Sequence, residues 1–321
     1  MTSTPYKPFS PVGRCIYCGS TDDLTTEHII PYSLAGYSTL EKSSCKKCAA
    51  VTAAFEQNCA RAMLGVFRVV YNFPTRRKKD RPKKLPLWVI KWNVCEKWDV
   101  PVEYYPEIKV LMPSLSPPKM AAREVWTMMM HLDPARLSPE DFAKMDFEKD
   151  GLVIMIDCYV PLADQKKRAE WLYNKGAIEW VYQQKVPLIP FSRMLAKIAH
   201  SYCVAQFGLG SFKPLLIDAI LNGGIDINRL VGGLPHVFNL DWPFDQFHDM
   251  VAGITNINGI AHLACSIQLF SQVAPVRYLV IVGEASQAVV DRLVAEHMER
   301  EGTLVPSRRY HPEELSQPVR R

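Results

Sequence analysis

A chain of 321 residues with 48% hydrophobic and 22% charged residues has the composition of a globular protein with a full core, which excludes a fibrous or disordered one. No stretch approaches the 18 or so apolar residues of a membrane span, and the start, Met1-Thr2-Ser3-Thr4-Pro5, lacks a secretion pattern. A soluble, cytoplasmic protein long enough for two domains is expected. The formal net charge of +5 is uneven: residues 1–100 hold 16 Lys and Arg against 8 Asp and Glu, and the rest hold 22 against 25. That places the expected contact with a polyanion in the first part of the chain.

Residues 1–13 are rich in Pro and Ser and predict irregular chain. Two Cys-x2-Cys hooks follow, Cys15-Ile16-Tyr17-Cys18 and Cys45-Lys46-Lys47-Cys48, with 26 residues between the inner pair. Four thiolates so spaced suit one tetrahedral zinc ion, with Gly19 turning the chain after the first hook. A site with four protein ligands has no open position and is structural. Zinc of this kind contributes about 10–16 kcal/mol apparent to a small knuckle that lacks a core. With nine cysteines, an odd number, and no export signal, disulfides are not expected. Cys59, Cys95, Cys158, Cys203 and Cys265 read as small buried hydrophobes. Short strands are expected between the hooks, then an alanine-rich helix starting at 45–47 and running through Glu56, with Phe55, Cys59 and Met63 at helical spacing.

Residues 74–86 carry three prolines and seven basic residues: Arg76, Arg77, Lys78, Lys79, Arg81, Lys83 and Lys84. This predicts an arm or linker rather than a packed element. On phosphate, such residues position a nucleic-acid backbone without reading its sequence; with no partner they form a solvated linker. Arg61 and Arg68 would extend the same surface. Residues 87–92 predict a strand.

Beyond residue 118 the pattern is α+β. Helices are predicted over 119–131, with Met128-Met129-Met130 filling core, from Ser138 as N-cap, over 192–207 with Gly208 as the stop, and over 287–300. Strands are predicted over 151–160 and 277–282, and a hairpin over 250–270 about Asn256-Ile257-Asn258-Gly259. Its second strand could pair between chains in a homo-oligomer. His200, His248 and His262 sit among apolar residues and read as packed and neutral. Gly208-Leu209-Gly210 follows a helix and lacks a third glycine, so no dinucleotide loop is expected. The tail from Thr303 reads as loose. The expected divisions are 1–72, 73–118 and 119–321.

The segment between the hooks, Leu24-Thr25-Thr26-Glu27-His28-Ile29-Ile30-Pro31, resembles the core motif of the HNH endonuclease family, whose fold is the ββα-metal unit. Leu34-Ala35-Gly36 stands where many members have Leu-Gly-Gly, Ser44 to Cys48 matches the second hook, and Phe55-Glu56 matches a pair further along the helix. The resemblance covers about residues 14–60. It implies a zinc-stabilised ββα unit at the start of the chain; with the residue pattern beyond it, the expected fold is α+β, that unit followed by a larger C-terminal accessory domain with antiparallel strands. It also implies a metal-dependent endonuclease acting on phosphodiester bonds, with double-stranded DNA as the expected partner. His28 would be the general base that takes a proton from water. Glu27 would hold a magnesium or manganese ion that stabilises charge on the phosphate. The products would be 5′-phosphate and 3′-hydroxyl ends.

Two departures accompany the resemblance. Where members carry Asn or His after the last hook cysteine, as a further metal ligand, this chain has Ala49; Glu56, two turns on, and Asn58 are the candidates to replace it. The middle Asn of the motif is absent, and Ser38 or Thr39 stands in that neighbourhood. Residues 119–321 would supply substrate choice, oligomerisation or regulation. By analogy of architecture alone, such proteins serve in bacterial defence or mobile elements. The alternative is a catalytically degenerate, zinc-containing nucleic-acid-binding protein, with Ala49 against Glu56 as the feature that separates the two.

Overall fold

The first hook closes on itself before any strand forms. The Cys15 amide donates to the Ser20 carbonyl at 2.7 Å and the Gly19 amide to the Cys15 carbonyl at 2.9 Å. Gly19 has φ +76°, the left-handed conformation that glycine adopts without strain. In the computed structural model, which describes residues 9–125, 140, 144, 153–160, 162–181, 183–223, 226–234, 247–271 and 274–298, this hook leads into β1 (Leu24–His28). β1 pairs antiparallel with β2 (Thr39–Cys45), from Leu24 opposite Cys45 to His28 opposite Thr39, with a bulge between Thr25 and Glu27. The bulge resets which side chains face inward: Glu27 is buried and His28, on the opposite face, is half-exposed.

Helix α1 (Lys46–Asn58) starts where the sequence predicts, because the second hook supplies its cap: the Cys45 sulfur accepts from the Cys48 amide at 3.5 Å. Phe55, Cys59 and Met63 are all buried. The helix then widens into one π-turn at Cys59–Met63 before α2 (Gly65–Val70). The Ala60 carbonyl in this turn accepts from Arg68 Nη1 at 3.1 Å, while Arg68 Nε donates to the Ser33 carbonyl at 2.6 Å. Arg68 therefore ties the loop after β1 to α2 and is not part of an open basic surface, contrary to the expectation.

Residues 74–83 of the expected arm are irregular apart from a single 3-10 turn at Lys78–Asp80, but Lys84, Leu85 and Pro86 open a strand instead, with Leu85 buried. The root of the arm is fixed by Phe73, whose ring packs against Phe67, Phe247 and Phe270 at 5.0–5.9 Å. β3 (Lys84–Lys91) follows and lies between β4 (Val94–Pro101) and β7 (Glu179–Val181). β5 (Ile108–Leu115) and β6 (Val153–Val160) form a two-stranded ladder, and α3 (Gln165–Asn174) stacks Trp171 on Tyr104 at 5.1 Å.

The long helix α4 (Leu188–Phe207), stopped by Gly208, lies against the main sheet. That sheet runs β10 (His248–Ile257), β11 (Ile260–Leu269), β12 (Arg277–Ala285), with β8 (Phe212–Pro214) and β9 (Val231–Leu234) both pairing with β12, all antiparallel. Helices α5 (Ile217–Leu221) and α6 (Gln287–Met298) complete the described α+β fold. The predicted hairpin is present, with Asn258 and Gly259 at φ 51° and 79°, as a tight turn of this hand requires.

Three expectations change. β11 is bonded on both sides and has no free edge to pair with another chain, so an oligomer through it is not available. Cys95 is exposed, whereas Cys59, Cys158, Cys203 and Cys265 are buried as expected. The helix predicted from residue 119 opens as a 3-10 turn at Lys119–Ala121 and is helical to 125; its continuation, Ser138 and the tail from Thr303 lie outside the described residues. No described helix is long and apolar enough to cross a membrane.

One hydrophobic core runs from Cys15 to Leu293, and α4 passes through its middle. From Phe191 to Val204 every residue of this helix except Arg193 is buried. On one side its Tyr202 hydroxyl donates to the Met250 carbonyl at 3.0 Å and Phe191 packs edge-on against Tyr278. The other side meets the zinc-hook unit.

Candidate active site

The four hook cysteines come together. Their sulfur atoms all lie within 4.8 Å of one another, with Cys18 and Cys45 3.7 Å apart. Tetrahedral zinc with bonds of about 2.3 Å needs sulfurs about 3.8 Å apart, so the set fits one zinc ion. The Cys48 amide draws the Cys45 thiol down to about 7, which favours the thiolate that zinc binds, while burial pushes the Cys48 thiol up. The cluster joins the turn before β1 to the start of α1, so one ion would brace both elements that carry the expected site.

β1 ends at His28. Its Nδ1 lies 3.2 Å from the Gly36 carbonyl, which can only accept, so Nδ1 carries the proton and Nε2 keeps its lone pair. Gly36 is required there: a Cβ would stand 2.0 Å from the Ile30 carbonyl oxygen. Burial lowers the His28 pKa, and the positive charges of Lys197 and Arg76 add to the effect, so the ring is the free base at neutral pH. The geometry suits proton abstraction.

Glu27, adjacent in the chain, points the other way, into the core, and meets a partner the sequence reading did not foresee. Lys197 Nζ, at the middle of α4 and 0% exposed, is 2.6 Å from Glu27 Oε1 and 2.9 Å from Glu56 Oε1. It also donates to the His28 carbonyl and lies 3.4 Å from that of Ile29. The Glu56 contact is an ion pair without good hydrogen-bond alignment. Burial opposes the charge on Lys197, but Glu27 and Glu56 outweigh it and its pKa lies above the ordinary lysine value. Burial pushes Glu56 up, against the pull of Lys197.

Glu27 and Glu56 are thus brought together, as metal binding would need, yet an ammonium already holds them. A magnesium ion would require oxygens at about 2.0–2.1 Å around the point that Lys197 fills, so the pair as it stands does not fit a second cation. Ala49, half-buried, offers no donor, and Asn58 is exposed.

In the basic arm, Arg76, Arg77, Lys78, Lys79, Lys83 and Lys84 are exposed. Arg76 is close enough for its charge to be felt at both His28 and Glu56. Arg81 is engaged instead: its guanidinium bonds the Asn72 side chain and the Phe73 carbonyl, closing the base of the loop. Arg61 is exposed on the π-turn.

The remaining contacts of α4 explain how Lys197 is held. Arg193 lies over the Phe55 ring at 4.9 Å, His200 Nε2 donates to the Ile16 carbonyl at 2.9 Å, and Ser201 meets the Tyr17 hydroxyl at 3.3 Å. Residues 193, 197, 200 and 201 form one helix face, and that face grips α1, β1 and the first hook.

Two strands and a helix pinned by four cysteines, with a Glu-His pair closing the first strand, form a ββα arrangement. Residues 15–61 match the family described as HNH endonuclease. No curated protein and no solved structure matches the chain.

Proposed function

We propose that the chain hydrolyses phosphodiester bonds of nucleic acid, with double-stranded DNA as the expected substrate and His28 as the base. The observation that carries this reading is His28 at the end of β1, its Nδ1 proton held by the Gly36 carbonyl, inside an HNH endonuclease domain. Nε2 takes a proton from water as the water oxygen attacks phosphorus; the bond to the 3′ oxygen breaks, and that oxygen leaves with the electron pair and is protonated from solvent. Arg76 would meet the phosphate charge next to His28, while Arg77, Lys78, Lys79, Lys83 and Lys84 track the backbone. The Glu27 carboxylate, held by Lys197, takes no part in this step. The accessory role of residues 119–321 in substrate choice belongs to the same proposal.

Ala49 and Lys197 together favour a second reading, in which the domain binds nucleic acid without cutting it. Nicking of supercoiled plasmid with magnesium or manganese separates the two. Cleavage lost in His28→Ala supports the hydrolase; equal cleavage by both proteins removes His28 from the chemistry. Salt-dependent DNA retention with no cleavage under any divalent ion selects the second reading.

A further inference from the structure

Four oxygens converge on one point below His28: carboxylate oxygens of Glu27 and Glu56, and the carbonyls of His28 and Ile29. A set of hard oxygens drawn from a strand end and a helix is what a divalent cation takes. Here the cation comes from the chain itself. We infer that Lys197 is the resident cation of this site: its ammonium stands in place of a divalent ion, holds Glu27 and Glu56, and closes the pair to metal.

Three independent features carry this. The ammonium donates to the His28 and Ile29 carbonyls and has both carboxylates within ion-pair distance, so its charge is matched on the spot. It is not free to swing away, because α4 is clamped to the HNH domain on either side of it, by Arg193 on Phe55 and by His200 and Ser201 on the first hook. Ala49 removes the helix ligand that a metal would need as well. Being fully buried, the ammonium cannot touch a phosphate. Lys197 is therefore a positioning residue, which fixes the end of β1 that presents His28. The inference rests on the HNH reading for the expectation of an ion at Glu27, and it does not depend on cleavage.

The test uses the full-length, zinc-loaded chain without nucleic acid, with manganese as the probe, followed by loss of the free-ion electron paramagnetic resonance signal. Wild type and Glu27→Gln should titrate alike, with no manganese that depends on Glu27. Lys197→Ala should gain one manganese per chain, at least about tenfold tighter than wild type, and its melting temperature should rise with manganese. Adding Glu27→Gln to Lys197→Ala should abolish the gain. A manganese bound by wild type and lost in Glu27→Gln overturns the inference, as does a folded Lys197→Ala that gains none. If Lys197→Ala does not fold, the comparison of wild type with Glu27→Gln decides alone, a difference refuting and identity upholding. A wild type that fails to nick plasmid bears on the hydrolase reading and leaves this result untouched.

Discussion

His28 and Ala35 show how single backbone groups set the site. His28→Ala should reduce any plasmid nicking by about 10²- to 10⁴-fold, the usual weight of a general base, without changing zinc content. Ala35 has φ 64°, a left-handed conformation that costs an L-residue roughly 1–2 kcal/mol and that glycine takes freely. Part of that relief is offset by the greater freedom of glycine in the unfolded chain. Ala35→Gly should therefore stabilise the protein by about 0.5–1 kcal/mol in urea denaturation; a loss would mean the Ala35 methyl packs more than its backbone strains. The placing of Glu27 and His28 at the end of a strand between the hooks was legible in the sequence because the hooks bracket them. Lys197 was not, since it lies some 170 residues away. A signal was nevertheless present: Lys197 stands between Met194, Leu195, Ala196 and Ile198, Ala199 of a predicted helix, an apolar setting in which a lysine must find a partner.

The helices and strands were largely readable because their signals are local. The second hook capping α1, Gly208 ending α4 and Asn258-Gly259 turning the hairpin all act within a few residues of themselves. The π-turn at Cys59–Met63, whose Ala60 carbonyl Arg68 holds, and the bulge in β1–β2 were not, because no pattern of neighbouring residues marks either. Two buried histidines bind the elements together. His200 donates to Ile16; His248 donates from Nε2 to the Leu34 carbonyl at 2.8 Å and accepts from the Phe270 amide at 3.3 Å. Burial lowers both pKa values to about 4. An unfolded histidine titrates near 6.5, so the unfolded chain binds more protons between those values. Stability from each residue is full above about pH 6.5 and falls as the pH drops towards 4, by up to about 3 kcal/mol per residue. Chemical denaturation of wild type and His248→Gln at pH 7 and pH 5 should show a smaller fall in the variant; equal falls would mean His248 is charged in the folded state.

Across the molecule, charge and metal act on different scales. If about five residues of the arm contact phosphate, the logarithm of DNA affinity should fall against the logarithm of salt with a slope near −4.5. Reversing Arg76, Arg77, Lys78 and Lys79 to Glu should flatten that slope; an unchanged slope would make the arm a plain linker. Metal analysis should find about one zinc per chain, and chelation should loosen the hook unit first. Finding no zinc would undo the assignment of Cys15, Cys18, Cys45 and Cys48.

The grip of α4 on the first hook has a consequence for how this protein can be taken apart. Removing the part of the chain that carries residue 197 would strip the buried Glu27 and the partly buried Glu56 of their counter-charge, an imbalance typically costing about 3–5 kcal/mol. The nuclease-like module is therefore no portable cassette. Grafted elsewhere without its distant lysine, it would have to recruit a substitute cation from solution or lose the strand end on which its imidazole rides.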